Sequence, residues 1–282
     1  MEEKRYSRHL AFFGVEGQKA IQNAKVAIIG CGGLGSHLAQ QLAYLGVRRF
    51  ILVDADHVEE SNLNRLIGAI SEDVEKNRFK SDIISRLIKM ISSESSVITL
   101  SHSVIHESAI QLLQDSDILF GCVDNDSVRL FLTHYTSILG TPYIDLSSEI
   151  LDGGEEFGGR VMFSLNGESC LMCMGELDQN EIRRGFSTDT EKNIDDRMYG
   201  VSQELLDGSG PSVVSINGAV ASLAVTEFMV WRTGIRVPKK LLKYYGRKAE
   251  IRQSRDTPLK DCYYCKGIYK LKDVGQLRNY YH

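Results

Sequence analysis

No apolar run in this 282-residue chain approaches the roughly 20 residues needed to span a bilayer, and the acidic, polar N-terminus has no signal-peptide shape. A basic excess is missing too. The chain has 33 Lys and Arg against 37 Asp and Glu, with the signs interspersed, so the electrostatic footprint of a nucleic-acid binder is absent. There is no internal repeat and no low-complexity segment. Cysteine is scarce, six in all, and nothing marks the chain for an oxidising compartment, where such residues would pair as disulfides. What remains is the composition of a soluble globular protein, long enough for one large α/β domain or two small ones. A cytoplasmic enzyme is expected, with neither nucleic acid nor membrane as partner.

The chain is organised around residues 25–56. A β-branched apolar run ends in Gly30-Cys31-Gly32-Gly33-Leu34-Gly35, an amphipathic helix follows, and a second apolar run closes on Asp54. Strand, glycine turn, helix and a strand with an acid after it is the order of a nucleotide-binding βαβ unit. The glycines let backbone N–H groups approach phosphate at the positive end of the helix, and the acid can accept from ribose hydroxyls. A tight turn with no ligand has the same glycines.

A helical arm is expected over residues 1–24, with Arg5 and Arg8 one turn apart, an arrangement that also makes a solvated basic face. Beyond Asp54 and Asp56, the polar segment Ser61-Asn62-Leu63-Asn64-Arg65 follows the carboxyl end of a strand, where open α/β sheets gather ligand-binding side chains. Apolar spacing at Phe79, Ile83, Ile84, Leu87, Ile88 and Ile91 predicts a helix with Lys80 in its first turn. The helix dipole disfavours a cation there; a nearby phosphate would explain it, and an exposed lysine would cost little. Residues 97–100 and 117–123 read as the third and fourth strands, the latter ending in Asp124-Asn125-Asp126. A carboxylate in that cluster could hold magnesium or cap the helix 128–139.

Residues 142–146 read as a fifth strand, and Gly153, Gly154, Gly158 and Gly159 surround a hairpin returning over 160–165. Regular alternation stops there. Residues 175–210 read as a long loop with one short helix around 178–184, residues 212–231 as a small-residue helix buried on most sides, and 243–253 as one late strand. The fold class is α/β: a Rossmann-like doubly wound sheet, parallel in its first half and mixed or antiparallel in its second. Two CxxC pairs, Cys170 with Cys173 and Cys262 with Cys265, supply four thiolates. That set suits a closed tetrahedral zinc site pinning the C-terminal tail to the body.

Together these residues are similar to the ThiF/MoeB/HesA family, the adenylating core of the ubiquitin-activating enzymes. The resemblance rests on RxxR at Arg5 and Arg8, the glycine turn, Asp54 and Asp56, the segment Ser61 to Arg65, Lys80, Asp124-Asn125 and both CxxC pairs. It implies that ATP and magnesium activate the C-terminal carboxylate of a small ubiquitin-like or sulfur-carrier protein, giving an acyl adenylate and pyrophosphate. Gly30, Gly32, Gly33 and Gly35 would contact ATP and Asp54, with Asp56 beside it, the ribose. Asn62, Arg65 and Lys80 would hold phosphates, and Asp124, next to Asn125, magnesium. Arg8 would cross a homodimer interface as an arginine finger. Residues 1–282 would form a single adenylation domain: the arm, a nucleotide-binding half over 25–146, and a carrier-binding half over 147–282 with a crossover loop at about 175–210.

Departures matter as well. Many relatives carry a crossover-loop cysteine that takes the carboxylate as a thioester; residues 175–210 contain none, so the adenylate is expected to pass to another nucleophile. A serine ester at Ser187, Ser202, Ser209 or Ser212 is the minor alternative, since an unactivated hydroxyl is a weak nucleophile. Residues 75–79 depart from the Gly-Lys-Pro-Lys of relatives, which bears on the register of Lys80. Three further alternatives stand: adenylation of a short peptide in peptide-antibiotic maturation, a nicotinamide-dependent oxidoreductase on the same glycine turn, and a non-catalytic binding module.

Overall fold

The computed structural model describes residues 2–151, 154–187 and 211–280. Its elements in chain order are α1 (Glu2–Arg5), α2 (Ser7–Gln22), β1 (Lys25–Ile29), α3 (Gly33–Leu45), β2 (Arg49–Val53), α4 (Ser71–Glu75), α5 (Lys80–Ile91) and β3 (Ser96–Leu100). Then follow α6 (Glu107–Leu113), β4 (Ile118–Gly121), α7 (Asp126–Leu139), β5 (Tyr143–Ile150), β6 (Phe157–Ser164), α8 (Gln179–Phe186), α9 (Val214–Thr233), β7 (Leu241–Tyr245) and β8 (Glu250–Gln253).

The strands form one eight-stranded sheet in the order β3-β2-β1-β4-β5-β6-β7-β8. The pairs from β3 to β5 are parallel and those from β5 to β8 antiparallel, as the sequence pattern implies. Alternation along β1 sends Val26 and Ile28 into one core with Leu38, Leu42 and Phe228, and Ala27 and Ile29 into the other with Phe131 and Tyr135. Burial on both faces is why the parallel strands read as unbroken apolar runs.

The N-terminal arm is two helices, and α2 is itself broken at Gly14, where φ is 72°. Arg5 is tied down, donating from Nη2 to the Ile91 carbonyl at 2.7 Å. The expected short helix is α8, capped by Asp178, which accepts from the backbone N–H groups of Asn180 and Glu181. The rest of the expected crossover loop, residues 188–210, lies outside the described residues, as do Gly153, Ser202 and Ser209.

Three expectations need correction. The late strand over 243–253 is two strands: Gly246–Lys248 makes a tight turn, and Ala249 takes a left-handed conformation, φ 51°, so the chain reverses. The small-residue helix starts at Val214 rather than at Ser212. A third correction concerns length: α9, 20 residues with an 18-residue stretch of mean hydropathy 1.4, is long and apolar enough to cross a membrane by length and composition alone, although the sequence reading expects no apolar run to approach that length. Half of that stretch is buried inside the protein, and the helix packs against α2, α3, β5 and β6.

Candidate active site and metal centre

The sheet's strand order reverses between β1 and β4, and a cavity of about 550 Å³ opens over the carboxyl ends of β1, β2, β4 and β5. The glycine turn forms its floor, and its four glycines have different duties. Gly30 has φ +91°, and a Cβ on it would sit 2.6 Å from the Cys122 carbonyl oxygen, so β1 and β4 can close only over glycine. A Cβ on Gly35 would lie 1.9 Å from the Gly30 carbonyl oxygen. Gly35 is not among the residues that line the cavity, and its lack of a Cβ lets α3 pack on the turn. Gly32 has nothing within 4 Å of its Cβ position and faces the open cavity. It is also the N-cap of α3 and offers no side-chain cap, so the first N–H groups of that helix are free for an anion.

Asp54 accepts from the backbone N–H of Cys31 at 2.6 Å through Oδ2 and from that of Asp56 at 2.8 Å through Oδ1. It thereby braces the glycine turn against β2. Burial raises its carboxyl above the usual range, and the two backbone bonds partly offset that. Asp56 is exposed and pairs with Lys80 Nζ at 2.8 Å, so the cation at the start of α5 already has a protein carboxylate. Arg65 lines the cavity with its guanidinium folded back on the Ser61 carbonyl and on Asn64 Oδ1, the latter at 3.1 Å. Asn62 is buried and accepts from the Glu59 N–H at 3.1 Å.

The acidic cluster after β4 divides its work. Asn125 caps α7, accepting from Ser127 N at 2.8 Å and Val128 N at 3.3 Å. Asp124 is exposed on the cavity wall and has no hydrogen bond or ion pair among the described residues, the state of a carboxylate free to hold a magnesium ion through water. Arg8 is exposed on α2 and does not line the cavity. Of the serines considered, Ser212 lines it, whereas Ser187 donates to the Arg183 carbonyl at 2.8 Å.

Several cavity residues were not singled out from the sequence. Arg129 is buried at the cavity wall, donating to Asp126 Oδ1 and the Val123 carbonyl, each at 2.6 Å, with Nε 3.6 Å from Asp145. Burial works against its charge, and Asp145 and Asp126 more than offset that, so its pKa is raised. Asp145 also pairs with Arg160, whose Nε lies 3.2 Å from Glu176, while Asp126 Oδ2 accepts from Asp178 N at 2.7 Å. This buried ion network fixes the 123–126 loop and anchors α8 beside it. The sequence signal was an arginine three residues after an aspartate in an apolar helix. On the opposite wall stand Ser148 and Asn217, and at the β3 end His102, whose Nε2 lies 3.0 Å from Ser108 Oγ.

Cys31 and Cys122 sit under and beside the turn, both buried, and burial pushes both thiols up. Neither is a ready thiolate nucleophile. The other four cysteines form a buried group whose Sγ atoms all lie within 4.8 Å of one another. The Cys170–Cys262 and Cys173–Cys265 separations are 3.6 and 3.7 Å. A tetrahedral ZnS₄ centre with bonds of about 2.3 Å has sulfur edges of about 3.8 Å, so the donor set fits zinc. The thiols of Cys170 and Cys265 stabilise a thiolate on Cys173, lowering its pKa, and Cys170 is raised in consequence. The tail that supplies Cys262 and Cys265 runs on across α7, where Tyr280 meets His134 Nδ1 at 2.9 Å.

The "Adenylyltransferase and sulfurtransferase MOCS3" of Danio rerio is 33% identical over 172 residues, 60% of this chain and 36% of that protein. The "Adenylyltransferase and sulfurtransferase uba4" of Aspergillus clavatus is 32% identical over 154 residues, 54% of this chain and 31% of that one. The chain thus spans about a third of the length of the curated relatives it matches. Among solved structures, Escherichia coli MccB with ATP superposes with a TM-score of 0.71 at 22% identity, covering 93% of this chain and 74% of that one, a likeness of fold. The ThiF family pattern matches residues 6–265, from the arm to the last cysteine of the buried group, and the chain belongs to the ThiF family.

Proposed function

We propose that this chain is an ATP-dependent adenylyltransferase that activates the C-terminal carboxylate of a small ubiquitin-like or sulfur-carrier protein as an acyl adenylate. The observation that carries the reading is convergence. Gly30, Gly32, Gly33, Asp54, Asp56, Asn62, Arg65, Lys80, Asp124 and Asn125 come from separate stretches of chain and all line one cavity. The names of the curated relatives support the same chemistry.

In the reaction a carboxylate oxygen attacks the α-phosphorus of ATP. The acyl O–P bond forms, the bridge to the β-phosphorus breaks, and its electron pair leaves with pyrophosphate. A carboxylate is already ionised at pH 7, so no general base is needed. The site must instead position the two reactants and neutralise charge on the phosphates. The N–H groups of α3 meet the phosphates, Arg65 leaves its carbonyl and Lys80 its aspartate to pair with them, and Asp54 and Asp56 lie where the ribose would. Magnesium on Asp124 would supply further charge neutralisation when bound. Arg8, exposed and not among the residues lining its own cavity, serves a partner's site in a homodimer, and zinc on the four cysteines pins the tail.

With Cys31 and Cys122 buried and the other thiols gathered in the metal centre, the enzyme forms no thioester of its own and hands the adenylate to an external nucleophile. Ser212, the one considered serine on the cavity wall among the described residues, is occupied by Asn217. Adenylation of a short peptide is the second reading, favoured by the 93% overlap in fold with MccB solved with AMPCPP and MccA. A nicotinamide oxidoreductase gains no support, since it leaves Arg65 and Lys80 without a role. The test is ATP–pyrophosphate exchange with each small carrier protein, and each short peptide, encoded in the same genome. Exchange with a carrier that leaves an adenylated C-terminus by mass spectrometry is expected. Exchange only with a peptide moves the conclusion to the second reading, and none at all overturns both.

A further inference from the structure

The cavity follows the strand order. His102 lies beyond β3, Asp54 beyond β2, the glycine turn beyond β1, Asp124 beyond β4 and Ser148 on β5. Between the phosphate end and the β5 end stands Asn217, the fourth residue of α9. It is 1% exposed yet lines the cavity. Its Nδ2 lies 2.3 Å from the position a Cβ on Gly33 would take, and Arg65 Cδ lies 3.6 Å from that same position. Asn217 and Arg65 therefore flank the first residue of α3.

The amide is held on both sides. Its Oδ1 accepts from Ser148 Oγ at 2.8 Å, and its Nδ2 donates to Ser212 Oγ at 3.1 Å. A carboxamide nitrogen carries two protons, and the second has no acceptor among the described residues. A buried N–H without a partner is costly, which points to a ligand that completes it.

We propose that Asn217 is a substrate-positioning contact of the adenylation centre: its free N–H binds one oxygen of the incoming C-terminal carboxylate, which stays as the acyl carbonyl oxygen of the adenylate, and leaves the other oxygen to attack the α-phosphorus. This inference rests on the adenylation reading. A neutral donor suits the task, because an arginine or lysine at that point would pair with the carboxylate and blunt its attack, whereas an amide orients it and leaves its charge. Ser148 and Ser212 fix the amide plane, so the carboxylate is held beside Gly33 with its other oxygen turned to the α-phosphate at the helix N-terminus.

The test compares the full chain with its Asn217→Ala and Asn217→Leu variants by calorimetry against two probes. One is AMPCPP with magnesium; the other is N-acetylglycyl-sulfamoyladenosine, which carries an acyl group where the adenylate does. Both variants are expected to lose about 10- to 100-fold in affinity for the acyl probe while AMPCPP binding stays within about twofold, which also reports an intact cavity. Equal loss on both probes, unchanged binding of the acyl probe, or a wild-type chain that holds the acyl probe no better than AMPCPP overturns the proposal. A wild-type chain that binds neither probe overturns the adenylation reading itself, and this inference with it.

Discussion

Replacing either of two glycines in one turn by alanine should separate the part of the turn that makes the fold from the part that meets the nucleotide. In Gly35→Ala the new Cβ starts 1.9 Å from the Gly30 carbonyl oxygen and 3.0 Å from its carbon, both backbone atoms. Neither can rotate away, so α3 has to withdraw by roughly 1.5 Å to reach ordinary contact, an overpacking cost of about 1–3 kcal/mol. For a chain of this size that is a fall of about 2–5 °C in Tm. Gly32→Ala meets nothing within 4 Å, and Gly32 has φ −79° and ψ −149°, at the margin of the extended region and outside the left-handed one. Its Tm should stay within about 2 °C of wild type, because no contact is lost and no left-handed conformation is imposed. The methyl group instead occupies the space in front of the free N–H groups of α3. A phosphate forced away from one or two of those charge-assisted bonds loses about 1.5–3 kcal/mol each, at least about tenfold in Kd. Scanning fluorimetry and titration with AMPCPP and magnesium read the two quantities. A stable Gly32→Ala variant that binds nucleotide like the wild type would refute the placement of phosphate at the start of α3, whatever the activity of the protein.

Arg65→Ala and Lys80→Ala should each lower the adenylation rate by on the order of 10² to 10³, yet move Tm little, since the Lys80–Asp56 pair is largely exposed on its aspartate side. Unchanged turnover in both would remove the phosphate role. One zinc per chain is expected by elemental analysis, and stripping it with a strong chelator under reducing conditions, or Cys173→Ser, should lower Tm by on the order of 10 °C. A metal-free chain of equal stability would refute the closed site. Asp73 receives both Arg86 guanidinium nitrogens at 2.6 Å, and that pairing lowers its carboxyl pKa. A depressed acid contributes its stability in full above its unfolded value, about 3.9, and loses it as pH falls from there towards the folded value. Asp73→Asn should therefore destabilise by about 1–2 kcal/mol at pH 7, discounted because Arg86 is 35% exposed, and the gap from wild type should narrow below about pH 4 in urea melts. A gap that persists at pH 3 would point to packing instead.

What could be read in the sequence was whatever local chemistry repeats along the chain. The β1–α3–β2 unit was legible because burial on both faces makes its strands continuously apolar and because the turn needs glycine at Gly30 for its φ. The CxxC pairs were legible because thiolate spacing within each knuckle is local, although only the fold brings Cys170 within 3.6 Å of Cys262. The duties within the turn were not legible, since Gly32 and Gly35 look alike in sequence and differ only in what a Cβ would strike.

The harder failures were pairings across long stretches of chain. Lys80 looked misplaced against the dipole of α5 because its counterion, Asp56, belongs to the segment after β2. Asp124 and Asn125 are both good cap formers, and only the direction in which the chain enters α7 gives the cap to Asn125, leaving the carboxylate of Asp124 free. The β7–β8 reversal left a signal at Gly246 that could have been weighted more, while the left-handed Ala249 left none. Asn217 is the extreme case: one amide in a helix of small and apolar residues, with nothing beside it in sequence to suggest Gly33, Arg65 or Ser148. A polar side chain that would be a liability in a buried helix becomes intelligible only when three other elements arrive to meet it. Functional residues of this kind are therefore found by asking which buried donors still lack acceptors.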